Sequence, residues 1–156
     1  SKTAELFSAA ARIGAVVADR PKIEEEALAA YGTNLGVAFQ LVDDALDYSA
    51  RQAELGKTIG DDFSEGKITL PVILAFRRGN EEEKSFWKRC LEELEQRPED
   101  LDRAQSLIRQ HSSLEDTMTR ARHYAALARD SLDLFNDCEA KQALKSVIDF
   151  CIEREF

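Results

Sequence analysis

Phe39-Gln40-Leu41-Val42-Asp43-Asp44-Ala45-Leu46-Asp47 sets three carboxylates and an amide inside an apolar pattern of helical period. Residues three and four apart share a helix face, so Gln40, Asp43 and Asp47 fall in one row with Asp44 beside it. Leu35, Phe39, Val42 and Leu46 flank that row. Two carboxylates about 6 Å apart repel by about 3 kcal/mol at an effective dielectric of about 20, and by less than about 1 kcal/mol in bulk water. A row facing solvent is therefore an ordinary charged helix face, whereas a row lining a cavity calls for a divalent cation. Mg²⁺ suits the second case, because it takes one or two carboxylates and completes its shell with water and phosphate oxygens. The apolar flanks favour the cavity, and at this point both readings stay open.

Outward from this stretch, the pattern is helical almost throughout. Leu6, Ala9, Ala10, Ile13, Val16 and Val17 keep helical spacing from about residue 3 to 18. Asp19-Arg20-Pro21 breaks the chain, and a long helix follows from about 22 to 50. Gly32 and Gly36 lie inside it, where each costs nearly 1 kcal/mol against alanine; close helix packing or a ligand approach is the expected compensation. Residues 52–67 read as a loop carrying Gly56, Lys57, Gly60, Asp61, Asp62, Gly66 and Lys67. Thr69-Leu70-Pro71 opens a short apolar helix to about Arg78, closed by Gly79-Asn80. Further helices are expected at about 81–95, 98–110, 113–135 and 138–154, with capping-box spacing at Ser112/Glu115 and Asn136/Glu139. Alternation of strand type, internal repeats and linkers are absent from the pattern, so residues 1–156 read as a single all-α domain or part of one.

Composition narrows the function classes. A formal net charge of -9 argues against nucleic acid and against an anionic membrane surface. No apolar run approaches the roughly 20 residues of a membrane span. Cys90, Cys138 and Cys151 are an odd number without a Cys-x-x-Cys pair, which disfavours a disulfide framework or a zinc site and fits a cytoplasmic setting. The chain opens Ser1-Lys2-Thr3-Ala4 without Met and runs straight into amphipathic helix, as a piece of a longer protein would.

Four elements bear on chemistry. Lys2-Thr3 places a cation at a helix N-terminus, where N–H groups already favour anions; by itself this reads as a solvated terminal lysine. The acidic row with Gln40 is the second. Gly56-Lys57-Thr58-Ile59-Gly60-Asp61-Asp62 is the third: its glycines let the backbone approach a ligand, and Lys57 can meet phosphate as a point charge. Its spacing is not that of a Walker loop. Gly66-Lys67-Ile68-Thr69-Leu70-Pro71 is the fourth, otherwise a turn and helix cap. Together they suit a diphosphate chelated by Mg²⁺ and neutralised by lysine. His111 and His123 fall in later helices and read as surface or packing residues.

In this order and spacing, the motifs from Lys2 to Pro71 resemble the C-terminal half of the trans-polyprenyl diphosphate synthases. The segment 56–75 is most similar to their long-chain, octaprenyl to decaprenyl branch, which makes quinone side chains. The resemblance implies an all-helical isoprenoid synthase bundle with a central cavity, working as a homodimer on isopentenyl diphosphate and an allylic diphosphate. It implies that Asp43, Asp44 and Asp47 are the second aspartate-rich motif and hold Mg²⁺ on the allylic diphosphate. Lys2, Thr3, Gln40 and Lys57 would contact that substrate, Phe39 would face isopentenyl diphosphate, and Lys67 would stand nearby as a further cation. The family's first aspartate-rich motif and the arginines after it are absent from the chain, and Arg77-Arg78 does not replace them. The leading expectation is the C-terminal half of a long-chain prenyltransferase, inactive alone. A non-catalytic helical partner subunit is the alternative, although a pure scaffold has no need of three clustered carboxylates. A terpene cyclase shares the helices and the metal but not the lysine pattern.

Overall fold

The computed structural model describes residues 2–49 and 60–153. Its described residues form helices α1 (Lys2–Val17), α2 (Lys22–Leu46), α3 (Asp61–Ser64), α4 (Leu70–Arg78), α5 (Glu81–Leu91), α6 (Asp100–Gln110), α7 (Ser113–Asp130) and α8 (Glu139–Glu153), with no strand among them. They belong to two compact units: Ser1–Val42 with Thr119–Glu155, and Asp43–Met118.

The first unit is built on an α1–α2 hairpin. Asp19 closes α1 in the left-handed conformation (φ 49°). Arg20 N–H returns to Ala15 O and Asp19 N–H to Val16 O, the two bonds of a Schellman closure. The helices then touch backbone to backbone. A Cβ on Gly36 would lie 2.7 Å from Ala4 Cα, and one on Gly32 would collide with the Phe7 carbonyl. The glycine pair therefore serves helix packing, the first of the two compensations expected. Ser8 Oγ donates to Ala29 O (3.0 Å) along the same seam. Tyr31, Leu35, Ala38, Ala125, Ala128, Leu132, Ile148 and Cys151 form the core, and Tyr31 ties α2 to α8 through its hydroxyl on Leu144 O (3.0 Å).

The second unit gathers α3 to α6 around Tyr48, Phe63, Val72, Ala75, Phe86, Trp87, Cys90, Leu91, Ala104, Leu107 and Ile108. Pro71 enters α4 in its first turn, where its missing N–H has no helical partner to lose. Asn80 starts α5 with a complete capping box: its side chain accepts from Glu83 N–H (3.0 Å), and Glu83 Oε2 accepts from Asn80 N–H (3.0 Å).

Several ends differ from expectation. The helix expected to reach residue 50 stops at Leu46. Tyr48 N–H turns back to Ala45 O and Ser49 N–H to Leu46 O, while Asp47 O accepts from Gly60 N–H (3.0 Å). The loop expected over 52–67 contains α3, closed by Gly66 at φ 70° with Lys67 N–H on Asp62 O and Gly66 N–H on Phe63 O. Helix α5 ends at Leu91 rather than 95, as the chain wraps through left-handed Leu94 (φ 56°). Helix α6 begins at Asp100 rather than 98, and α7 ends at Asp130 rather than 135, in successive turns. Ser112, expected as a cap, takes φ 48° and returns its N–H to Arg109 O, closing α6.

Candidate functional site

The acidic row sits at the C-terminal end of α2. Helical phase turns Val42, Ala45 and Leu46 into the protein, at 4% exposure or less, and carries the neighbouring carboxylates with them. Asp44 is 8% and Asp47 5% exposed, with Asp43 partly exposed. Two of the three carboxylates are therefore out of bulk water, unlike those of an ordinary solvated helix face. Burial pushes the Asp47 carboxyl up to about 6, with the Asp62 and Asp61 charges adding to it; the Asp62 and Asp61 N–H groups oppose that rise. A carboxylate so placed is stabilised by any cation that joins it.

Asp47 itself is engaged. Its Oδ2 accepts the Asp62 N–H at 3.1 Å, just inside α3. Asp62 in turn pairs with Lys67, Oδ1 to Nζ 2.9 Å, and Lys67 reaches Glu65 at 2.8 Å. Hydrogen bonds donated to Glu65 and Asp62 hold the exposed Lys67 ammonium above its ordinary range. Lys67 thus already has two carboxylate partners, Asp62 and Glu65. Among the described residues no three His, Cys, Asp or Glu side chains converge to hold one metal ion. The donor chemistry nonetheless fits magnesium, which needs only one or two carboxylates from the protein.

Gln40 lies in the first unit, where its Oε1 accepts from the Thr3 hydroxyl at 3.0 Å. Two candidate residues 37 apart in sequence are brought together there. Lys2 stands exposed on the first turn of α1. Phe39 is half-buried, its ring 5.6 Å from that of Phe7 and tilted by 34°. Lys57 and the rest of Gly56–Ile59 lie outside the described residues.

Sequence reading passed over two participants. Asp62 stood in the expected loop with no role, although Gly60 followed by two aspartates was visible. Gly60 takes φ 80° there, with Leu101 filling the space a Cβ would need. Tyr48, next to Asp47, is 2% exposed, and neither its hydroxyl nor that of Thr69 completes a hydrogen bond. Burial first, then the Asp47 charge, raises the Tyr48 phenol, and the nearby Thr69 hydroxyl offsets this only partly. An apolar hollow of about 190 Å³ lies in the same unit, lined by Ile68, Val72, Phe76, Trp87 and Leu91. It contains no candidate residue and no carboxylate of the row.

The described residues thus have an all-helical fold with two aspartates buried at a helix end, as the isoprenoid synthase resemblance implies. The polyprenyl synthetase family model matches residues 1–108, and the chain belongs to that family. The octaprenyl diphosphate synthase of Haemophilus influenzae is 42% identical over 156 residues, all of this chain and 47% of that protein. The crystal structure of a decaprenyl diphosphate synthase from Rhodobacter capsulatus superposes with a TM-score of 0.92 at 42% identity, covering 99% of this chain and 48% of that one. A polyprenyl synthase from Caulobacter crescentus, complexed with calcium and isoprenyl diphosphate, gives 0.91 at 45% identity, covering 99% and 47%. The chain spans about half the length of the curated relatives it matches. Among the described residues no helix is long and apolar enough to cross a membrane.

Proposed function

We propose that the intact protein carrying this chain is a magnesium-dependent prenyltransferase. It condenses isopentenyl diphosphate with an allylic diphosphate and so extends a long-chain trans-polyprenyl diphosphate, a quinone side-chain precursor. The burial of Asp44 and Asp47 beside Val42, Ala45 and Leu46 carries this reading. A buried anionic cluster is costly without a cationic partner, and a scaffold subunit gains nothing from it.

Magnesium, when bound, neutralises the allylic diphosphate and makes it a better leaving group. Asp43 and Asp44 would hold it, and Asp47 is the third carboxylate that the resemblance assigns to it. Lys2 and Lys57 would take up the negative charge that develops on the departing diphosphate. Lys67 would join them on exchanging its present carboxylate partners for phosphate. Thr3 and Gln40, already paired, would fix the orientation of the diphosphate, and Phe39 would face isopentenyl diphosphate. As the allylic C–O bond breaks, its electron pair leaves with the diphosphate. The isopentenyl double bond supplies the pair for the new C–C bond, and a proton lost from the adjacent carbon restores an alkene. Apolar helix walls keep water from the cation.

The family resemblance supports a cytoplasmic homodimer, and supports inactivity of this chain alone, which carries one aspartate-rich motif where the family uses two. Incorporation of radiolabelled isopentenyl diphosphate by the intact protein and its Asp43→Ala variant tests the assignment. Equal rates would defeat it.

A further inference from the structure

Three carboxylates in one motif invite the assumption that all three serve the cation. The geometry gives one of them a further task. The Asp47 carboxylate receives Asp62 N–H at 3.1 Å, and its backbone carbonyl receives Gly60 N–H at 3.0 Å. The same residue therefore holds the start of the Gly60–Gly66 turn through both its side chain and its main chain. That turn is anchored from the other side by buried Phe63, whose carbonyl accepts from Gln96 Nε2 at 2.8 Å. At its far end Lys67 is fixed to Asp62 twice, by N–H to Asp62 O at 2.8 Å and by Nζ to Oδ1 at 2.9 Å. A chain of contacts thus runs from Asp47 through Asp62 to the ammonium of Lys67. The Asp47 residue is 5% exposed among these partners.

We propose that Asp47 is a positioning residue: its carboxylate holds the Gly60–Gly66 turn and hence Lys67. This rests on the diphosphate reading of the site for its catalytic meaning, but its structural content is independent of that reading. An N–H acceptor needs an oxygen, not a charge, so asparagine should replace Asp47 where it cannot replace a metal ligand.

The test compares Asp47→Asn, Asp47→Ala, Asp43→Asn and Asp43→Ala in the intact protein. The first readout is metal-free: amide hydrogen exchange at Asp62 in the presence of a chelator. Exchange about tenfold faster in Asp47→Ala, and close to the unsubstituted protein in Asp47→Asn and both Asp43 variants, is the expected result. The second is calorimetric binding of Mg²⁺ with inorganic pyrophosphate. Asp47→Asn should bind at least about tenfold more tightly than Asp47→Ala, while the two Asp43 variants are equally weak. Unchanged Asp62 exchange in Asp47→Ala would overturn the proposal. So would Asp47→Asn binding as weakly as Asp43→Asn, and that comparison decides alone should Asp47→Ala fail to fold. If the Asp43 variants bind Mg²⁺–pyrophosphate as the unsubstituted protein does, the diphosphate reading fails instead, and the exchange pattern still decides the role of Asp47.

Discussion

Thr3 donates its hydroxyl to Gln40 Oε1 at 3.0 Å, joining the first turn of α1 to the last third of α2. The bond orients an amide that the proposed mechanism uses on the diphosphate. Thr3→Val keeps the shape and removes the donor. A lost hydrogen bond of this kind is worth about 1 kcal/mol, so the KM for the allylic diphosphate in the intact protein should rise about fivefold while kcat changes little. Steady-state kinetics with varied allylic substrate will show it, and an unchanged KM would remove Thr3 from the site.

Asp43 is the most exposed carboxylate of the row and the one best placed to meet a cation arriving with substrate. Asp43→Ala should lower isopentenyl diphosphate incorporation by about a hundredfold or more, the loss typical of removing a group that stabilises developing charge. Circular dichroism of the variant should remain helical, which separates lost chemistry from lost fold.

The three glycines of α1 and α2 should respond in opposite directions. Gly36→Ala drives a Cβ to 2.7 Å from Ala4 Cα, and Gly32→Ala drives one into the Phe7 backbone. Overpacking costs about 1–3 kcal/mol, and improved helix propensity returns only about 1 of it. Gly14 has nothing within 4 Å of its added Cβ, so Gly14→Ala should gain up to about 1 kcal/mol. Thermal melting of the three variants gives the comparison; a stabilised Gly32→Ala would contradict the close seam.

Arg89 grips Asp100 with Nη2 on Oδ1 at 2.8 Å and Nη1 on Oδ2 at 2.9 Å, and Arg97 N–H adds a third bond at 2.7 Å. Hydrogen bonds from Arg89 hold the buried Asp100 carboxyl down to about 2, well below its ordinary 3.8. Because the folded value is the lower one, the stabilisation is complete above pH 3.8 and disappears as pH falls through 2. It amounts to something on the order of 2 kcal/mol. Asp100→Asn should lose that increment at pH 6 and converge with the unsubstituted protein near pH 2, as urea titrations at the two pH values will report.

Where burial follows helical period, the sequence was readable. The row of Leu35, Val42 and Leu46 is buried as its spacing required, and the Gly32/Gly36 pair marks a close helix contact. Ends were harder, since tertiary bonds set them. Helix α2 stops where Gly60 N–H claims Asp47 O, a partner 13 residues away that no local propensity announces. Helix α3 has four residues and therefore no period to detect; it exists because Phe63 is buried and Asp47 receives its leading N–H. Asn80 and Glu83 form an Asn-x-x-Glu capping box that starts α5, although Gly79-Asn80 equally has the composition of a helix stop. At the site, residue types identified Asp43, Asp44 and Asp47 as a group, but only coordinates reveal that Asp47 is bound to backbone.

The glycine seam reaches further than stability. With the Phe7 and Ala4 backbones seated in the notches left by Gly32 and Gly36, α1 has one axial register against α2, and in that register the Thr3 hydroxyl meets the Gln40 amide. A side chain inserted at either notch, about one turn (Gly36) or two turns (Gly32) before Gln40, would act as a spacer, prying that pair apart. Variants selected for weakened substrate affinity should therefore include Gly32 and Gly36, whose added Cβ atoms would meet helix α1.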